Sequence, residues 1–598
     1  MNMAEASRGG LFGSWGISPS LPIVLVGICV LLYRLYIRHF PKPIPGNIPY
    51  NKQSAGRLIG DSLEIRRYQK AGDFRRFFHD HNTKLNTSIS QVFMFPYPKP
   101  FVLLTDFREA YDILSKRHRD FDRSKRNADI FGTIGTNFHL AMQTRDPRFK
   151  GNKELVRDLM APAFLNEVSA VHIYDIATVL VDMWSYKVAQ AVGRPFSAYE
   201  DLHCVALDII LAAAFGIPLE QSTTQKQYEF LQLQPSKIKS AGSKDDPVTY
   251  DRTPIAESRT ALMKVTETVV VGYKSPFPRL HHWILRNTIW RRDFALKEEF
   301  ITDEINKGVE RLTSDNKQEN RMRCAMDMML LREFGYAKKE GRKPNINSPR
   351  MRDELFGYVA TGHDTSSTTL SWITKFLADN QSAQAKLRRQ IRTAFAEAHA
   401  EKRQPTVMEI IEKPAPFLDA FLEECLRMTK TIPTILRETL TDVTILGHLV
   451  PKGTSIMMYN HGPGGQLKSG FNIPEAVRSD TSQASKDRVG EWNTEDISQF
   501  RPERWLQRTA EAKSDGEGGA EFEGIEYNAN SGPFLTFGGG PRGCFGKKLA
   551  YMELRIVMAM LVWNFEFQPC PAELSSYEGI DAATVVPKQC YVRLKHLL

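Results

Sequence analysis

The sequence predicts a mainly α-helical protein with small β sheets, a single large domain carried behind an N-terminal membrane-spanning helix. Three observations point to it. Apolar residues recur at helical spacing through 151–190, 200–215, 349–400 and 416–430. Strand-like patterns are short: ISQVFMF at 89–95 with KPFVLLT at 99–105, and VTILGHLVPKGTSIMMY at 443–459. Between Leu11 and Tyr33 there is no charged residue, a pattern that suits a bilayer core.

Composition narrows the classes. Of 598 residues, 42% are hydrophobic and 25% charged. That mixture excludes a wholly disordered chain, a collagen and a multi-span membrane protein. Lysine and arginine total 79 against 69 acids, so the net charge is 79 − 69 = +10. This mild excess suits an anionic membrane surface or an acidic partner protein as well as nucleic acid. Seven cysteines, with no CxxC spacing, argue against a disulfide framework and a structural zinc site, and for a reducing, cytosolic compartment.

Four segments follow in order. Residues 1–18 are a short tail and 19–38 the transmembrane anchor. Its core from Pro19 to Ile37 spans about 28 Å as a helix, close to a bilayer's thickness. Trp15 lies near one edge, Tyr33 and Tyr36 near the other, and Arg34, Arg38 and Lys42 follow the span. The positive-inside rule then places everything after residue 40 in the cytosol. A cleaved signal peptide would want a basic start and a small-residue cleavage site, and neither is present. Residues 39–50 carry Pro41, Pro43, Pro45 and Pro49, a stiff extended hinge holding the body at a fixed angle to the membrane. Residues 51–598 are the globular domain.

Within the domain, Pro96 and Pro98 mark the turn of the first strand pair. Ser348 and Pro349 suit the N-cap and first position of a long helix. That helix carries YVATGHDTSSTT, in which the Thr365 hydroxyl can bond back to helix carbonyls and open a groove. Glu424 and Arg427, three apart on the helix from 416, can pair. Polar stretches at 311–322, 337–347, 464–498 and 510–530 read as loops or insertions.

The chemistry concentrates at 537–546, FGGGPRGCFG. Glycines at 538–540 and 543 make a tight loop, and Cys544 then precedes an apolar helix. The positive end of a helix and its free N–H groups favour a thiolate, the form that ligates metal. Gly543 and Gly546 let a flat ligand approach the backbone, and Arg542 is placed to meet a ligand carboxylate. Three blander readings stand beside this one: a phosphate loop, although no GxGxxG or GxxxxGK[ST] frame is present; a simply packed cysteine; and an ordinary turn.

FGGGPRGCFG resembles the cytochrome P-450 haem-thiolate signature F-x-x-G-x-R-x-C-x-G at every fixed position: Phe537, Gly540, Arg542, Cys544 and Gly546. The resemblance extends over roughly 40–598. TGHDTS at 361–366 is similar to the family's oxygen-binding segment, except that Thr361 occupies a usually small position. Glu424-x-x-Arg427, then Arg437 in TILRET, then FRPERW with Arg504 follow the family's order. KGNKELVRDLMAPAF resembles its W-x-x-x-R…P-x-F segment, with Lys153 where tryptophan is expected.

The resemblance implies a P-450 fold holding haem b, with Cys544 as axial iron ligand. Arg157, Arg437 and Arg542 would converge on the haem propionates, with Arg123 of FDRS as a further contact, beside the signature's Phe537, Gly540 and Gly546. Glu424, Arg427 and Arg504 would form a structural ion-pair core, since buried charges need mutual pairing. Asp364 and Thr365 would be the catalytic pair. Cleavage of dioxygen takes two protons, which a hydroxyl beside a carboxylate can relay; His363 reads as a helix residue rather than a ligand. The implied activity is insertion of one oxygen atom from O₂ into an apolar small molecule. The polar insertions and FPRLHHW at 277–283 resemble filamentous-fungal members acting in secondary metabolism on terpenoids, polyketides or alkaloids. Partners would be an NADPH-cytochrome P-450 reductase, drawn to the basic face at Lys547 and Lys548, and membrane lipid, with no nucleic acid. The site of action would be the endoplasmic reticulum membrane, single-pass, with the catalytic domain facing the cytosol. Two alternatives are a haem-thiolate isomerase or dehydratase, against which the intact Asp364-Thr365 pair argues, and a non-catalytic haem-binding protein. Pocket walls are expected from Ile130–Phe138, the region 220–260, Phe356–Thr361, Thr431–Leu436 and Ala582–Val585.

Overall fold

The computed structural model describes residues 20–97, 99–233, 243–314, 322–429, 431–461, 465–466, 468, 470–509 and 522–597. The expected tail 1–18, the edge residue Trp15 and the turn residue Pro98 lie outside the described residues, as does much of the polar stretch 510–530.

The helix Pro349–Asp379 runs 31 residues through the centre. The Ser348 side chain accepts from the Met351 amide at 3.2 Å and Pro349 starts the first turn, so its beginning is set by local chemistry. From Leu355 onward most of its side chains are buried. It packs along Tyr199–Phe215 and crosses Lys547–Asn564. A Cβ on Gly362 would meet the Ile210 side chain at 2.6 Å, so glycine allows the first of those contacts. Ala170–Ala191 closes the other side of Lys547–Asn564, with Trp184 wholly buried and donating to Asp201 at 2.9 Å.

The predicted helical run 151–190 is interrupted. Pro147–Val156 ends in a tight turn at Arg157–Met160, and the chain restarts at Pro162, where proline removes an N–H donor. Helices Glu257–Glu267, Arg291–Thr313 and Ala325–Glu340 were not among those the periodicity predicts; polar residues on their outer faces dilute the period. The last of them takes in 337–340, part of a stretch expected as loop.

One five-stranded sheet orders Ile89–Val92, Phe101–Leu104, Ser455–Tyr459, Thr434–Thr439 and Phe121–Arg123. All neighbours are antiparallel except Phe101–Leu104 with Ser455–Tyr459. The expected β unit at 443–459 therefore divides: Val443–Ile445 and His448–Val450 form a separate hairpin, and only its last strand joins the sheet. Glu424, Arg427 and Arg504 meet as the resemblance implies. The Arg427 Nε and Arg504 Nε lie 2.7 and 3.0 Å from the two Glu424 oxygens, and Trp505 Nε1 donates to the same carboxylate at 2.9 Å. Every charge there is paired, so its burial is tolerated.

N-terminal to the domain, Ser20–His39 forms a helix of about 30 Å. Val24, Val26, Ile28, Val30, Leu31, Leu32 and Leu35 on it are exposed. Among the described residues Val26–Leu35 is a shorter apolar helix, and the one run apolar and long enough to cross a membrane is Pro162–Ala191, most of which is buried in the domain. The second half of the hinge is tied to the body rather than spacing it away. Ile44 N donates to Gln91 Oε1 at 2.9 Å, Gln91 Nε2 donates to the Ile48 carbonyl at 3.0 Å, and Ile48 is buried.

Candidate functional site

A cavity of about 320 Å³ lies between the central helix and the cysteine loop. Cys544 forms part of its floor. Cys544 faces open space in the cavity that it lines, although its thiol lies deep within the protein. Its amide donates to the Phe537 carbonyl at 2.8 Å, closing the loop. Burial pushes its thiol up, outweighing the Gly546 amide and the charges of Lys547, Arg123 and Lys153. The helix begins only at Lys547, three residues beyond the cysteine, and a thiolate at this position is the form that a bound metal would stabilise. Gly540 has φ +64, and a Cβ there would lie 1.9 Å from the Leu114 carbonyl, so the loop admits only glycine. Gly546 is different. No protein atom lies within 4 Å of its Cβ position, yet it lines the cavity. What glycine leaves open there is room for a ligand.

Three guanidinium groups gather at one side. Arg123 and Arg437 are cross-strand neighbours. Arg123 Nη2 donates to the Arg542 carbonyl at 3.4 Å, and Arg542 Nη2 donates to the Met142 carbonyl at 2.8 Å. All three line the cavity, and none is ion-paired among the described residues. Burial pushes Arg437 and Arg542 down to about 10, and holds Arg123 well below the usual arginine range, with the charges of Arg542 and Arg437 adding to it. Arg123 Nε is buried without a hydrogen-bond partner among the described residues. Like charges packed this way call for an anion, and a planar ligand with two carboxylates fits both the cations and the space above Gly546.

Arg157 does not join them, which corrects the expected convergence. Its side chain is 62% exposed and paired with Glu154 and Asp158. The turn that ends the preceding helix sends it outward. Arg123, expected only as a further contact, takes the position beside Arg437 and Arg542. Lys153, in the tryptophan position, puts Nζ over the Phe545 ring at 4.1 Å, a cation–π contact. His139 was not legible from sequence: its Nδ1 meets Glu354 Oε2 at 2.7 Å on the cavity wall.

On the roof, Thr365 Oγ1 donates to the Thr361 carbonyl at 2.8 Å, and Thr361 Oγ1 to the Gly357 carbonyl at 2.7 Å. The helix stays continuous through both, so the expected groove is not an opened ladder. Asp364 and Thr365 both line the cavity. Burial pushes Asp364 up, but the adjoining His203 and His363 rings more than offset it, and the carboxyl lies below its ordinary value. Burial, helped by His203, pushes His363 down to about 4. Ser366 Oγ donates to Glu553 Oε2 at 2.7 Å, and burial pushes Glu553 up to about 8. Of the expected walls, Ile130–Phe138, Phe356–Thr361, Thr431–Leu436 and Ala582–Val585 contribute. The described part of 220–260 contributes nothing; Thr266, Val269 and Tyr273 stand there instead.

The model of the cytochrome P450 family matches residues 58–464 and 492–591. The chain belongs to the cytochrome P450 family. Among its relatives is the cytochrome P450 monooxygenase GME11363 of Pestalotiopsis microspora, 34% identical over 580 residues, 96% of this chain and 97% of that one. The monooxygenase TRI13 of Fusarium sporotrichioides is 33% identical, over 96% of this chain and 99% of its own. The monooxygenase xilC of Penicillium rubens is 34% identical, over 96% of each chain. As a P450 the chain binds haem iron and is a monooxygenase, an oxidoreductase that incorporates oxygen from O₂. P450 monooxygenases draw electrons from a redox partner and act on small molecules.

Proposed function

We propose that this P450 hydroxylates or otherwise oxygenates an apolar fungal secondary metabolite of terpenoid, polyketide or alkaloid type. The observation that carries the reading is the cavity itself. It is walled largely by apolar side chains such as Ile130, Ile134, Phe138, Val269 and Leu436, with Cys544 on one side and Asp364-Thr365 on the other. Such a pocket binds apolar surface and leaves few polar groups to orient it.

In this reading Cys544 ligates iron. Arg123, Arg437 and Arg542 hold the propionates by charge-assisted bonds. Phe537 and Gly540 shape the loop, and Gly546 leaves the ring its space. Haem, when bound, supplies the oxygen-activating chemistry, tuned by its thiolate ligand. Asp364 draws protons from the His203 side and Thr365 presents a hydroxyl to the cavity. Because the Thr365 hydroxyl proton is directed at the Thr361 carbonyl, its lone pairs face the other way, ready to accept a donor inside the cavity.

Electrons would come from an NADPH-cytochrome P-450 reductase docking on the face where Lys547 and Lys548 are exposed. Ser20–His39 would anchor the chain in the endoplasmic reticulum membrane, the domain on the cytosolic side. A second lipid contact fits Pro278–Asn287, where Leu280, Trp283 and Ile284 are exposed beside Phe277 and Arg279 and Arg286 flank them.

The test is reconstitution with reductase, NADPH and ¹⁸O₂ against apolar metabolite extracts. A product carrying one ¹⁸O atom, dependent on NADPH, is the expected result. Product formed without NADPH would point to an isomerase instead.

A further inference from the structure

Behind Asp364, on the far side from the cysteine loop, two histidines close on the same carboxylate. His203 Nε2 and His363 Nδ1 each lie 3.7 Å from Asp364 Oδ1. The three candidate ligand atoms all fall within 4.8 Å of one another. A separation of 3.7 Å is too long for a direct hydrogen bond. It is close to the donor–donor edge of about 3.3 Å that metal–nitrogen bonds near 2.0 Å produce around a tetrahedral ion.

The orientation of the rings is set independently of any ion. His363 Nε2 contacts the His203 backbone carbonyl at 3.1 Å. A carbonyl only accepts, so Nε2 carries the proton and the neutral ring turns its Nδ1 lone pair toward Asp364. Anchoring a ligating histidine by its other nitrogen to a backbone carbonyl is how proteins fix tautomer and aim at metal sites. His203 stacks on Tyr199, with ring centroids 5.7 Å apart, and meets His363 edge-on at 4.1 Å. Gly362 lets the two helices approach closely here, since a Cβ at that position would meet the Ile210 side chain at 2.6 Å.

We propose that His203, His363 and Asp364 form a binding site for a divalent cation of the zinc type. Two imidazoles and one carboxylate are a borderline-soft set that selects zinc or its late transition neighbours over magnesium or calcium. The His203 side chain is 23% exposed, so an ion reaches the site from that side and keeps a water as fourth ligand. The functional consequence rests on the proton-relay reading of Asp364 given above. A cation on Oδ1 takes that oxygen out of the relay, so zinc would act as a brake on productive turnover.

The experiment uses the full-length, haem-loaded protein, prepared without a metal-affinity step, and titrates Zn²⁺ in competition with a chromophoric chelator. Wild-type protein should hold one Zn²⁺ that His203→Ala and His203→Gln weaken by about tenfold or more, with unchanged haem content and Mg²⁺ unable to compete. Equal zinc stoichiometry and affinity in wild type and His203→Ala overturns the site. A second readout separates the two readings. If zinc binds through His203 but leaves the rate of NADPH-dependent product formation unchanged, the site stands and the relay role of Asp364 falls.

Discussion

Arg123 and Arg437 stand directly opposite each other in the antiparallel register of the main sheet. Like charges facing across two strands are destabilising, and here both are buried with Arg542 beside them. The pair is strained by repulsion unless an anion sits between its members, and this gives the first prediction.

Arg437→Gln or Arg123→Gln should weaken haem retention by roughly 1.5–3 kcal/mol, the worth of a bond to a charged group. The same substitutions should leave the haem-free protein as stable as wild type or more so, because a repulsion is removed. Arg157→Gln should change neither, since Arg157 is exposed and pairs with Glu154 and Asp158. Haem-to-protein ratio after dialysis against a haem acceptor is the measurement. Haem loss from Arg157→Gln equal to that from Arg437→Gln would defeat the assignment.

Cys544→Ser should abolish the thiolate-type Soret band of the reduced, CO-bound protein while haem binding falls only in part. The arginine cluster and the cavity walls remain in the variant. Retention of the thiolate band would rule Cys544 out as ligand.

Thr365→Ala should uncouple the enzyme without unfolding it. Among the described residues the hydroxyl bonds only to a carbonyl of its own helix, Thr361, at 2.8 Å, so its loss costs about 1 kcal/mol or less. Product per NADPH should fall while NADPH consumption persists. Asp364→Asn should slow turnover itself, because it removes the carboxylate that feeds the relay.

Glu553 makes stability fall as pH rises. Its folded value is pushed up to about 8 by burial, against an ordinary 4.5. Below about 4.5 both folded and unfolded chains carry the proton and the group is neutral to stability. Above that the unfolded chain ionises first, so stability is lost progressively as pH climbs to about 8. The loss is on the order of 5 kcal/mol. Glu553→Gln should flatten this part of the curve. Urea midpoints at pH 5 and pH 8 for the two proteins decide it.

Removing residues 1–40 should release most of the protein from membranes with the haem site intact. Residual attachment should disappear on adding Leu280→Asp and Trp283→Asp, because those side chains are 59% and 63% exposed. Full retention after all three changes would place the membrane contact elsewhere.

What the sequence determined by itself was whatever short stretches of chain specify. The cysteine loop is ten consecutive residues whose glycines and turn are self-contained, so Cys544, Phe537, Gly540 and Arg542 were legible in order. The start of the central helix was legible because Ser348 and Pro349 act within one turn. The Glu424-Arg427 pair was legible because helical geometry alone brings i and i+3 together. Tertiary structure decided what depends on the exit angle of an element or on meetings far apart in the chain. Arg157 sits at the expected spacing, but the helix ends at Val156 and the guanidinium swings outward. Arg123 takes the inward place because a strand 314 positions before Arg437 pairs in one particular register, which local patterns do not encode. The thiol of Cys544 is pushed up by burial among segments far apart in the chain, which the local loop sequence does not encode. His203 and His363, 160 residues apart, share a carboxylate only because Gly362 lets two helices touch.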